Sequence, residues 1–82
     1  MPTADEALAT FTAIVRRLAA TPEMAVPVET ALADLEGLDS LRLLEAMALS
    51  EARLGVEIDT TAMDSFTTVG DVIAALLAAR PA

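Results

Sequence analysis

Apolar positions fall at helical spacing in three stretches of the chain. Leu8, Phe11, Val15 and Leu18 recur at intervals of three and four, Ile14 widens the stripe, and Thr3 followed by Glu6 fits a reciprocal capping box ahead of them. The pattern predicts a first helix over about residues 4–20, closed at Thr21-Pro22 because the proline ring cannot continue a regular turn. A second helix is expected over residues 40–54, opened at Asp39-Ser40 and stopped by Gly55. Two apolar stripes compete on it. Leu43, Met47 and Leu54, with Ala46 and Ser50 beside them, are assigned to the core; Leu41, Leu44 and Ala48 are assigned to an exposed face open to a partner. The last helix, expected over residues 69–79, has Thr68 as N-cap and Asp71 at N3. Its apolar positions are Val69, Val72, Ile73, Leu76 and Leu77, and Pro81 marks its end.

The intervening segments are irregular. From Pro22 to Asp39, Pro27, Gly37 and scattered acids predict a long loop, held on the core by Val26, Val28, Leu32 and Leu35 and containing a helical turn near residues 29–33. Val56 to Ile58 reads as a brief extended piece, too isolated to form a sheet by itself. A short helical turn is expected over residues 61–65, with Met63 and Phe66 turned inward, and Gly70 is accounted for by its place in the first turn of the last helix. No strand run, internal repeat or interdomain linker is visible, so the 82 residues are expected to form one domain.

Composition narrows the chemistry. An apolar fraction of 55% suffices to close one small core despite a net charge of −8. Thirteen acids against five arginines disfavour nucleic acid and anionic lipid as partners and suit either basic docking surfaces or a solvated coat. Apolar runs are too short for a membrane span, and the cytoplasm is the expected compartment. Cysteine, histidine and lysine are all absent, which removes thiolate chemistry, the commonest transition-metal ligand and any ordinary base for an activated serine.

Ser40 therefore has two readings. It is a polar residue in the first turn behind an Asp39 cap, or it is a serine that another enzyme modifies. A helix start favours a phosphorus-containing group through its free amides and dipole, whereas Asp39 and Glu36 oppose one electrostatically. Local chemistry leaves both readings open.

Asp39-Ser40-Leu41 within GLDSLRLLEAM, followed by LGVEI at residues 54–58 and FTTVGDVIAAL at residues 66–76, resembles the acyl and peptidyl carrier proteins of fatty-acid, polyketide and nonribosomal-peptide synthesis. The resemblance runs in order through nearly the whole chain. It implies an all-α, irregular four-helix carrier bundle with a long loop between helices 1 and 2 and a short third helix. It also implies that Ser40 receives 4'-phosphopantetheine from coenzyme A through a separate, magnesium-using phosphopantetheinyl transferase, and that acyl or aminoacyl cargo is then held on the terminal thiol as a thioester. The chain itself would be non-catalytic.

On the same resemblance, Asp39 sets the helix start and shapes the transferase-facing surface, Leu41 and Leu44 are apolar partner contacts, and Glu45 and Glu51 meet basic residues around partner active sites. Arg42 and Ala48 belong to the same surface, and Glu57 and Asp59 extend its acidic strip. The implied partners are the transferase, an acyl- or aminoacyl-loading enzyme, a downstream synthase, and condensation or tailoring enzymes, visited by a monomer. GLDSLRLL, through Leu38 and Arg42, is more similar to carriers of amino-acid or aryl units, whereas the acidity is shared with stand-alone acyl carriers. A discrete, type II-like carrier for specialised biosynthesis is expected. The alternatives are an ordinary fatty-acid acyl carrier and an interaction module with the carrier fold but no prosthetic group.

Overall fold

The computed structural model describes the backbone of residues 1–82 and the side chains of all but Thr60, Met63 and Asp64. The inward placement expected for Met63 lies outside the described residues. Among the described residues three α-helices organise the chain: α1 (Ala4–Leu18), α2 (Ser40–Leu54) and α3 (Val69–Ala78). Short 3-10 segments occupy Leu32–Asp34 and Thr60–Ser65, and two-residue strands β1 (Val56–Glu57) and β2 (Arg80–Pro81) pair antiparallel. Among the described residues no helix is long and apolar enough to cross a membrane.

The expected irregular four-helix bundle is thus corrected to three α-helices, the short third helix of residues 61–65 being a 3-10 segment instead. That segment spans only Thr60–Ser65. So few residues recover little of the cost of nucleating an α-helix, and two successive threonines add β-branched resistance. Tighter local bonds take over. Ala62 N–H donates to the Asp59 carbonyl at 3.0 Å, Thr61 N–H to the Asp59 carboxylate at 3.0 Å, and Ser65 Oγ to the Ala62 carbonyl at 2.8 Å.

The first helix also stops earlier than residue 20. Ala20 N–H bonds the Arg17 carbonyl at 3.1 Å and Thr21 N–H the Arg16 carbonyl at 3.0 Å, with Ala20 at φ 55. This is a Schellman stop with alanine in the left-handed position usually taken by glycine. At the other end Glu6 N–H donates to Thr3 Oγ1 at 3.1 Å, but the return contact runs from the Thr3 hydroxyl to Glu6 Oε1 at 3.2 Å and leaves the expected box half made. The box at α3 is complete: Asp71 N–H donates to Thr68 Oγ1 at 3.1 Å and Thr68 N–H to Asp71 Oδ2 at 3.0 Å.

Phe11 and Val15 of α1, Ala46 and Met47 of α2, and Val69, Val72 and Leu76 of α3 meet in one core. Leu43 and Leu54 pack against its edge, while Leu41 and Leu44 stay 74% and 50% exposed, so the core stripe of α2 is the one expected. Ser50 is fully buried and donates to the Ala46 carbonyl at 2.8 Å, which satisfies its hydroxyl without leaving the helix.

The long loop lies on the core through buried Val26, Leu32 and Leu35; Val28 is 44% exposed and does not serve as an apolar anchor. Its backbone does serve. Gly70 N–H donates to the Val28 carbonyl at 2.8 Å, Val69 N–H to Thr30 at 2.9 Å, and Leu32 N–H to Thr67 at 2.9 Å. A Cβ at Gly70 would sit 3.1 Å from the Val28 oxygen, so the glycine permits a close crossing of loop and helix. After α3 the chain extends to pair Glu57 with Arg80, and Ala82 N–H reaches the Gly55 carbonyl at 3.0 Å. The isolated piece at Val56 thereby gains a partner.

Candidate functional site

The approach to α2 is set by one glycine and one aspartate. Gly37 has φ 82 and passes so close to the end of α1 that an added Cβ would lie 3.2 Å from that of Ala19. Asp39 is extended, and its Oδ1 accepts the Arg42 N–H at 2.8 Å while its carbonyl accepts Leu43 N–H at 3.0 Å. The N-cap satisfies one of the first-turn amides that the helix cannot, and Ser40 becomes the first helical residue. It is exposed. No hydrogen bond engages its hydroxyl among the described residues, so Oγ is open to a reagent from solvent.

Beside it runs an open groove of about 660 Å³, walled by Leu32 and Leu38 from the loop, Leu43 from α2, and Phe66 and Thr67 from the lead into α3. In the sequence Phe66 reads as an inward-turned apolar position and Leu38 as part of the GLDSLRLL resemblance, with nothing to pair the two. What brings them to Ser40 is the backbone stitching of loop to α3, including the bridge between Ala31 and Thr68, and no local period encodes that pairing.

The other two serines are placed differently. Ser50 is buried, and Ser65 bonds the Ala62 carbonyl in the 3-10 segment.

The expected partner surface divides into apolar and charged parts. Leu41, Leu44 and Ala48 are exposed on α2. Arg42 and Glu45 form an ion pair at 3.0 Å between half-exposed side chains, and Glu51 turns inward so that its Oε2 accepts Ile58 N–H at 2.9 Å. Glu57 pairs with Arg80 at 3.2 Å. Both acids of α2 are therefore engaged within the chain, and the helix carries two arginines against them. The Asp59 carboxylate is held below its ordinary titration range by the Thr61 backbone amide and hydroxyl. That of Asp71 is held down by the Thr67 and Thr68 amides, then by the Thr67 hydroxyl. Neither shift involves Ser40. Among the described residues no cluster of acids is arranged to hold a metal.

A search of curated proteins found no match. The family model described as "Phosphopantetheine attachment site" matches residues 9–76, which takes in most of α1, the long loop, all of α2 and α3 as far as Leu76. Members are non-catalytic carriers that hold 4'-phosphopantetheine covalently on a serine, and a phosphopantetheinyl transferase and cargo-loading enzymes are their usual kinds of partner. The chain belongs to this phosphopantetheine-attachment family of carrier proteins.

Proposed function

We propose that Ser40 is the attachment serine and that residues 1–82 act as one carrier unit for amino-acid, aryl or specialised acyl intermediates in polyketide, nonribosomal-peptide or related biosynthesis. One observation carries the assignment. Of the three serines in the matched span, Ser40 stands exposed at an α-helix start with no hydroxyl partner among the described residues, whereas Ser50 is buried and Ser65 is bonded to Ala62.

The residues present fit the group. An exposed Oγ allows a transferase to reach it, the first turn of α2 offers amide dipoles to a phosphodiester, and the adjoining groove is apolar enough to lie under a flexible arm. When bound, the group supplies a thiol to a chain that has no cysteine. Asp39 keeps the helix start in register, which fixes where Ser40 is presented. Leu41 and Leu44 offer apolar area to each visiting enzyme, and a modest patch of this kind suits a shuttle that must also dissociate. Leu38 and Arg42 support the amino-acid or aryl assignment over ordinary fatty acids.

Incubation with coenzyme A, magnesium and a broad-specificity transferase should add one phosphopantetheinyl group by intact mass, and Ser40→Ala should add none. Equal addition in Ser40→Ala, or none in the wild type, overturns the assignment. The mass of loaded protein from its native producer then identifies the cargo class.

A further inference from the structure

The five arginines are not used alike. Arg16 Nε donates to the Met24 carbonyl at 2.7 Å, Arg42 pairs with Glu45 at 3.0 Å, and Arg80 pairs with Glu57 at 3.2 Å. Among the described residues Arg17 and Arg53 have no such partner. Yet these two line one groove of about 440 Å³ between α1 and α2, together with Ile14, Leu49 and Ala52. Both guanidinium groups stand exposed on a chain of net charge −8, Leu49 is 42% exposed, and Ile14 forms a buried floor.

We propose that this groove docks an acidic segment of a partner protein, an apolar side chain entering between Leu49 and Ile14 and flanking carboxylates meeting Arg17 and Arg53. Charge complementarity selects the occupant. A neutral apolar segment would leave both cations uncompensated, whereas carboxylates flanking an apolar side chain match Arg17 and Arg53 at contact distance. Position gives the site its use. Nine residues separate Ser40 from Leu49, so Leu49 lies about 13 Å further along the α2 axis and about 180° around it. An occupant there leaves Ser40 open, so the carrier can be held by an assembly while its serine face visits other enzymes.

A fluorescent helical peptide of glutamates with leucines at spacings of three and four is the probe, read by polarisation at low salt. Saturable binding is expected, weakened about tenfold or more in Arg17→Glu with Arg53→Glu and in Leu49→Ser, and unchanged in Ser40→Ala. Circular dichroism should show these surface variants folded, and the milder pair Arg17→Gln with Arg53→Gln should lose part of the affinity. Absence of binding, equal binding by the double variant, or equal binding of a peptide with glutamine for glutamate overturns the proposal. So does sedimentation showing a dimer that the double variant dissolves, or vesicle binding that depends on the same arginines. Transferase modification of the double variant should be unchanged, which separates failure of this site from failure of Ser40 as the attachment residue.

Discussion

Replacing Ala20 by glycine should stabilise the protein, although glycine usually costs stability. Ala20 sits at φ 55 in the turn that ends α1, where Ala20 and Thr21 N–H close on Arg17 and Arg16. An L-residue in the left-handed region costs roughly 1–2 kcal/mol because its Cβ crowds the following carbonyl. Glycine removes that term but has a more disordered unfolded chain, which takes back roughly 0.4–1 kcal/mol. The net gain expected is about 0.5–1 kcal/mol, or roughly 2–8 °C in Tm for a domain of this size. Urea unfolding followed by far-ultraviolet circular dichroism should show a higher midpoint at unchanged slope. Gly55→Ala is the reciprocal control. Gly55 has φ 69 with nothing within 4 Å of an added Cβ, so its loss comes from backbone strain alone and should be of similar size and opposite sign. An Ala20→Gly variant that is no more stable than wild type would falsify the strained-turn argument.

Four further outcomes follow from the caps, the core and the exposed face. Thr68→Ala removes the hydroxyl that accepts Asp71 N–H and should cost about 1 kcal/mol in urea unfolding. Asp71 titrates below its ordinary value near 3.8 when folded, so its contribution is complete above that pH and is lost as pH falls through the folded value. The stability difference between wild type and Asp71→Asn should therefore narrow as pH is lowered below about 4; a difference that stays constant into acid counts against the assigned amide bonds. Phe11→Ala empties a site with no exposure and should cost roughly 3–5 kcal/mol by the same unfolding measurement. Leu41→Ala with Leu44→Ala should change stability by less than about 0.5 kcal/mol but slow transferase modification several-fold, and an unaltered rate removes these residues from the docking surface.

The site is assembled from two kinds of information. Asp39, Ser40 and the core stripe of α2 are legible along the chain because caps and periodicity act over a few residues, and the structure places the Asp39 bond and buried Met47 accordingly. Legibility fails where a side chain has two possible uses. Glu45 and Glu51 are expected to meet basic residues of partners, but Arg42 lies one turn from the first, and Ile58, seven residues on, returns its amide to the second. The short third helix failed differently: a six-residue segment is decided by which local bonds are cheapest, and Asp59 supplies them for a 3-10 turn.

By itself, the sequence determined three amphipathic helices, the absence of any base for Ser40, and a family-like order of motifs around it. These rest on residue identity and local spacing. Tertiary structure alone decided that the loop would be sewn to α3 through Thr30, Leu32 and Gly70, that β2 would return to Val56, and that Arg17 and Arg53 would share a groove. Each joins residues distant in sequence, and such contacts are fixed only when the core closes and the backbone must find its remaining hydrogen bonds.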